Sequence, residues 1–280
     1  MTSLAAYFTN NIKLNVQVTL QDLGNAQTLG TSSANFSQIS GSGPYYATPL
    51  YNALTNTDVN GGTTAITITM NTNAGINWGL GTGAPGSTNY SWQSVVMHEV
   101  LHSMGFYDGI GAVTTTLPNV PGTAAWQNPG PTIFDTFSFV GSTGGTQFSA
   151  LLTDQSRYSA IVSNNMFWTG ANAVAANGGT PIKLYAPSTY ESGSTYSHID
   201  PSLTGVGGLL FPALYDNTFF AGPTAVELGI MKDMGWSVSA IPEPSAVALI
   251  VGGVVMGFTI VVRRRRTVPD KKATDAIVRS

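Results

Sequence analysis

Two of the chain's three histidines, His98 and His102, stand four residues apart in the run His98-Glu99-Val100-Leu101-His102. On an α-helix that step is about one turn, so the two imidazoles project from one face, one above the other. At this spacing both can bind a single Zn²⁺, with the Glu99 carboxylate beside the coordination position they leave open. A carboxylate there can take a proton from a water that the ion has polarised. The fold is constrained accordingly: residues 91–104 must be helical, and the rest of the chain must bring a further ligand to the same point. There is no cysteine, so that ligand is not a thiolate, and neither a disulfide framework nor a cysteine nucleophile is available. A closed structural zinc site normally uses four protein ligands, often cysteines. Their absence favours an open, catalytic site.

Gly105 follows the second histidine by three residues. A glycine there can take positive φ, end the helix and turn the chain sharply towards the metal. The stretch His98-Glu99-Val100-Leu101-His102-Ser103-Met104-Gly105-Phe106 resembles the longer metzincin form of the zinc-protease signature, His-Glu-x-x-His-x-x-Gly. In many metzincins the third ligand comes three residues after that glycine, which here is Asp108. A turn-forming aspartate in Asp108-Gly109 is the plainer reading of the same residue. The competitor is His198, far along the chain in Ser197-His198-Ile199-Asp200. Neutral imidazole suits Zn²⁺ well. Because the helix supplies only two ligands, His198 is favoured over Asp108 as the third.

The order of these features is similar to that of leishmanolysin-like metzincins. These insert a long segment between the second and third histidines and follow it with a turn of the type Leu-Met-x-Pro. Here 95 residues separate His102 from His198, and Leu209-Leu210-Phe211-Pro212 follows. Leu210 takes the place of the turn's methionine, which in that family is an apolar floor beneath the metal and not a ligand. The chain is also similar to bacterial metalloproteases with a Ser-His-Leu-Asp box and a closing Leu-Lys-Asp-Ile-Gly-Trp-like helix. Their counterparts here are Ser197 to Asp200 and Met231-Lys232-Asp233-Met234-Gly235-Trp236. The resemblance covers residues 10–262 and is strongest over 96–106 and 195–262. It implies a metzincin fold with Glu99 as general base and His98, His102 and His198 on zinc. Tyr215, shortly after the turn, is either an oxyanion-stabilising hydroxyl or an ordinary core or surface tyrosine. Asp200 either orients His198 or caps the turn at Asp200-Pro201.

Elsewhere the pattern is mixed. In residues 12–20, Ile12, Leu14, Val16, Val18 and Leu20 alternate with Lys13, Asn15, Gln17 and Thr19, which predicts a half-buried strand. Residues 65–70 repeat the alternation through Ile66, Ile68 and Met70, and residues 73–90 read as a loop. The helix at 91–104 carries an apolar stripe of Trp92, Val95, Val96 and Val100. Residues 107–222 are Gly/Pro-rich, with short strands, loops and a helix near 147–162. Residues 223–234 form a last helix, with Pro223 near its start and Gly235 beyond its end. The expected class is α+β. A metzincin-like zincin catalytic domain, a twisted sheet plus active-site helix with a long loop-rich C-terminal subdomain, fills 1–240, and a C-terminal transmembrane helix follows.

Charged residues are 9% of the chain, against about 25% in an average soluble domain. Glycine, serine, threonine and asparagine take their place, which suits an exported, strand- and loop-rich protein. Residues 1–240 hold eleven acids and four bases, whereas 263–280 hold seven bases and two acids. An acidic body excludes nucleic acid as a partner, since that needs bases across a docking face. Residues 245–262 are 18 residues without a charge, spanning roughly 27 Å as a helix, enough to cross a bilayer core. Arg263, Arg264, Arg265 and Arg266 follow at once, and such a cluster stays on the cytoplasmic side and leaves the body outside.

Pro242-Glu243-Pro244 stands just before that span. Pro-Glu-Pro, apolar helix and arginine cluster in this order resemble the PEP-CTERM sorting signal, here residues 241–266, with 267–280 as a short cytoplasmic tail. The resemblance implies processing by an exosortase-type membrane enzyme. The protein would then sit at the cell surface, anchored in the membrane or released to the extracellular matrix. Residues 4–8 are too short for the apolar part of a signal peptide, so a leader is expected upstream of Met1. Together these features describe an exported zinc-dependent endopeptidase acting on protein or peptide substrates. The alternatives are a non-catalytic zinc-binding surface or matrix protein that keeps the fold, which Glu99 disfavours, and hydrolysis of a non-peptide amide.

Overall fold

Ile66–Asn71 is the middle strand of a three-stranded sheet in the computed structural model, which describes residues 4–115, 121–142, 144–203 and 208–239. Val16–Gln21 runs parallel on one side of it and Gly30–Ser33 antiparallel on the other. Ile66, Ile68 and Met70 are fully buried, while Thr67 and Thr69 on the opposite face are half-buried. The strand expected over 12–20 forms only at Val16–Gln21, and it is not half-buried. Val16, Val18 and Leu20 lie in register with Ile66, Ile68 and Met70, yet they are 43%, 42% and 64% exposed. They sit on the sheet's edge, where alternation in the sequence does not report whether anything covers the apolar side.

Six α-helices occur among the described residues: α1 (Thr48–Thr55), α2 (Trp92–Ser103), α3 (Ile133–Phe137), α4 (Asp154–Ile161), α5 (Ala171–Ala176) and α6 (Ala225–Met234). Helix α2 packs on the buried face of the three-stranded sheet. Ser91 caps it, accepting the Ser94 N–H at 3.2 Å. At the other end Gly105 takes a φ of 119°, with the Phe106 N–H on Leu101 O and the Gly105 N–H on His102 O. These two bonds form the Schellman arrangement and send the chain sharply away from the helix. The expected four-residue stripe does not describe its packing. Of Trp92, Val95, Val96 and Val100 only Val95 is fully buried, while Ser94, Met97, Glu99, Leu101, His102 and Ser103 are buried as well. Helix α2 is an interior helix, covered on most sides.

The Gly/Pro-rich stretch beyond α2 holds more regular structure than its composition suggests. A hairpin joins Ile110–Thr114 to Thr123–Trp126, and a four-stranded antiparallel sheet has the order Thr146–Gln147, Ser138–Val140, Met166–Trp168, Ile182–Lys183. The helix expected near 147–162 is α4; α3 and α5 were not expected, nor was α1. The core here is aromatic: Phe106, Phe134, Phe148, Trp168 and Tyr196 are linked by a chain of ring contacts, with touching centroids 4.4 to 6.4 Å apart. Helix α6 closes the unit, capped by Thr224 and Glu227 at its start and by Gly235 (φ 118°) at its end. Beyond it the Trp236 indole N–H donates to Met104 O at 2.8 Å, tying the ends of α2 and α6 together.

The class is mixed α+β, built from several small sheets. No helix among the described residues is long and apolar enough to cross a membrane. The expected apolar span at 245–262, with Pro242, Glu243, Pro244 and Arg263 to Arg266, lies outside the described residues.

Candidate metal centre

His98 and His102 leave α2 on one face, and His198 reaches the same point from the segment after Tyr196. Their Nε2 atoms converge: His102 is 3.0 Å from His98 and 3.2 Å from His198, and the remaining pair is 3.4 Å apart. Each Nδ1 is tied to a backbone carbonyl. His98 bonds Leu209 O, His102 bonds Phe106 O at 2.7 Å, and His198 bonds Ser194 O at 2.8 Å. A carbonyl only accepts, so each Nδ1 carries the proton and each Nε2 turns a lone pair on the other two. Three lone pairs facing one another repel unless a cation sits among them. A tetrahedral ion bonded to imidazole at about 2.0–2.1 Å sets its nitrogens about 3.3 Å apart, which matches the spacing found. Among the described residues these three histidines form the group able to hold a metal ion.

Burial also sets the protonation of the histidines. It holds His102 well below the ordinary imidazole range, with the charges of His98 and His198 adding to the effect. His198 is pulled down to about 3, by burial first and then by His98. Both are therefore neutral near pH 7 and need no deprotonation before they bind an ion. Glu99 is buried beside them. Burial raises its pKa, opposed by the charge of His98 and a hydrogen bond from Ser32, the direction that suits a carboxylate for accepting a proton near neutrality.

The other residues singled out from sequence are dispersed. Asp108 is buried, its carboxylate accepting from the Ile110 N–H at 2.7 Å and from Ser197, and it is not part of the histidine cluster. It acts as the turn-forming aspartate of Asp108-Gly109. The Asp200 carboxylate accepts from the Ser202 N–H and pairs with Lys183 at 3.2 Å, whereas His198 Nδ1 has Ser194 as partner. Its contacts are those of a turn cap, the second of the two readings that the sequence leaves open. Leu210 is fully buried and held at its backbone. Tyr215 is on the rim of the cleft and 70% exposed.

That cleft, of about 750 Å³, runs over Glu99 and the histidines between the strand Gly30–Ser33 and the segment 209–215. Its walls hold Tyr90, Tyr107, Tyr190 and Phe220 and, among the described residues, no lysine or arginine. Several residues that shape the site have no signal in the sequence. Leu209, Phe106 and Ser194 act through backbone carbonyls, which any residue supplies. Gly30 lies against Glu99, where a Cβ would meet Oε1 at 3.2 Å. Tyr196 holds a φ of 78°, unusual for a bulky residue. It is pinned there by its ring contacts and by a 2.9 Å bond from its hydroxyl to Asp135. Comparison with protein-family models, with curated proteins and with solved structures finds no match to this chain.

Proposed function

We propose that this protein is an exported zinc-dependent endopeptidase of metzincin type, with His98, His102 and His198 as zinc ligands and Glu99 as general base. The observation that carries the reading is the geometry: three Nδ1 atoms on backbone carbonyls and three Nε2 atoms converging in a cleft, with a buried carboxylate alongside. Zinc fits this donor set best, since it prefers neutral nitrogen ligands in tetrahedral geometry and keeps one position open when only three are supplied. Held there, it would polarise a scissile carbonyl and lower the pKa of water at the open position. Glu99 then takes the proton of the attacking water and delivers it to the leaving amine. The strand Gly30–Ser33 is at a sheet edge and lines the cleft. An extended peptide can pair with such an edge through its main chain, which favours peptides over small amides as substrates. In this reading Leu210 is the apolar floor of the metzincin turn, and Tyr215 is the hydroxyl to test for oxyanion stabilisation. Export and surface or matrix localisation, with an exosortase-type processing step, rest on the sequence of residues 242–266.

The test combines metal analysis with casein cleavage. The purified protein is expected to carry stoichiometric zinc and to lose cleavage when a chelator removes it. Glu99→Gln is expected to retain the metal and lose activity by roughly 10²- to 10⁴-fold. Zinc with no hydrolysis of any protein or peptide by the wild type would favour the non-catalytic binding protein. Absence of bound or bindable metal would sink the reading altogether.

A further inference from the structure

Glu227 is fully buried, and among the described residues no lysine or arginine pairs with it. Backbone N–H groups and the Thr224 side chain satisfy its carboxylate instead. Oε1 accepts from the Leu210 N–H at 2.7 Å and the Gly208 N–H at 3.1 Å, and Oε2 accepts from the Thr224 N–H at 2.7 Å. Helix capping accounts for the last bond alone. A capping box works at a solvent-exposed helix end, where the carboxylate keeps its hydration, whereas a buried one must replace that hydration fully. The two bonds to residues 208–210 make sense once the opposite edge of that segment is considered. Leu209 O receives the His98 Nδ1–H, and Leu210 O receives the N–H of Ile199, next to His198, at 2.8 Å. One short segment thus turns N–H groups towards Glu227 and carbonyls towards two of the three arms of the histidine cluster.

We propose that Glu227 is a positioning residue of the metal centre: it clamps residues 208–210 so that Leu209 O selects the His98 tautomer and aims its Nε2 at the cluster. This role rests on the metal reading above. Without the clamp, the His98 ring loses a fixed acceptor on Nδ1. It then populates the tautomer protonated on Nε2, which is no ligand. Glu227→Gln separates the two jobs of the side chain. The amide oxygen still accepts the Thr224 N–H and keeps the cap, while the amide NH₂ meets the two N–H groups of the clamp, donor against donor.

Three variants of the full chain, Glu227→Gln, Glu227→Asp and Thr224→Ala, decide the matter. Aspartate keeps the charge with a shorter reach, and serves if the glutamine variant folds poorly. Thr224→Ala removes a cap hydroxyl that accepts the Glu227 N–H and also bonds the Glu227 carboxylate, and leaves in place the two backbone bonds from residues 208–210. Zn²⁺ affinity, measured by competition with a chromophoric chelator, is expected to fall about 10- to 100-fold in the two Glu227 variants and to stay unchanged in Thr224→Ala. In the metal-free protein, ¹⁵N NMR of the histidines is expected to show His98 protonated on Nδ1 in the wild type and a tautomer mixture in Glu227→Gln. Affinity that follows melting temperature equally in all three variants, or an unaltered His98 tautomer, overturns the role. If the wild type binds no Zn²⁺, the metal reading fails on its own, and the metal-free tautomer still decides the role of Glu227.

Discussion

At Gly30 an added Cβ would lie 3.1 Å from Val95 Cγ1, 3.2 Å from Glu99 Oε1 and 3.3 Å from Glu99 Cγ. All three distances are tighter than ordinary van der Waals contact, and the neighbours are interior atoms with little room to move. The proposed base is thus held in place from the sheet side by the lack of a side chain. Gly30→Ala is expected to push the Glu99 carboxylate aside by a few tenths of an ångström. Because displacement by about 1 Å can cost 10²-fold, cleavage is expected to fall by roughly 10-fold with metal content unchanged. Steady-state kinetics alongside zinc analysis checks this. A variant with wild-type activity would show that Glu99 does not depend on that contact.

At the scale of elements, the site is built where helix and strand ends meet. The C-terminus of α2 supplies His102 and, one turn on, the Phe106 carbonyl that fixes its tautomer. Gly105 is what makes that return possible, and its φ of 119° is available to few other residues. Gly105→Ala is expected to destabilise the metal-free protein by about 1–2 kcal/mol, with a further small cost from the contact to Leu50 Cδ2 at 3.3 Å. Because Phe106 O moves with the turn, zinc affinity is expected to fall as well. Urea unfolding and metal competition test the two effects separately, and a loss of stability with unaltered affinity would detach the turn from the site.

For the whole molecule, buried ionisable groups set opposing trends of stability with pH. His198 titrates at about 3 when folded and near 6.5 otherwise, so its contribution is complete above pH 6.5 and is lost as pH falls towards 3. Asp135 behaves in reverse. Burial, and then the charge of Asp108, push it from 3.8 up to about 7, so its contribution is complete below pH 3.8 and is lost as pH rises to 7. Asp135 accepts from Gly109, Thr132 and Tyr196, which ties the loop after α2 to the segment that carries His198. Asp135→Asn removes the second trend, and is expected to make stability rise more steeply with pH between about 4 and 7 than in the wild type. Unfolding curves of both proteins with chelator present, across that range, would be parallel if the assignment were wrong.

Much of this protein was legible one segment at a time. The helix around His98 and His102, the strand at Ile66–Asn71, the last helix and the glycine exits follow from periodicity and capping, which act over a few residues. Burial was less legible: Val16, Val18 and Leu20 alternate as cleanly as Ile66, Ile68 and Met70, yet they stay open because coverage depends on distant chain. Glu227 lies within the last helix expected from sequence, and nothing local signals that its carboxylate reaches the backbone of residues 208–210. Sequence by itself determined the donor types, the paired histidines and the carboxylate between them. Only the tertiary structure decided which side chain joins them. Asp108 is near in sequence but is turned into its own loop, whereas His198 crosses 95 residues to arrive. Local hydrogen-bond geometry is fixed by neighbours a turn apart, whereas convergence over such a span is set by the packing of everything between.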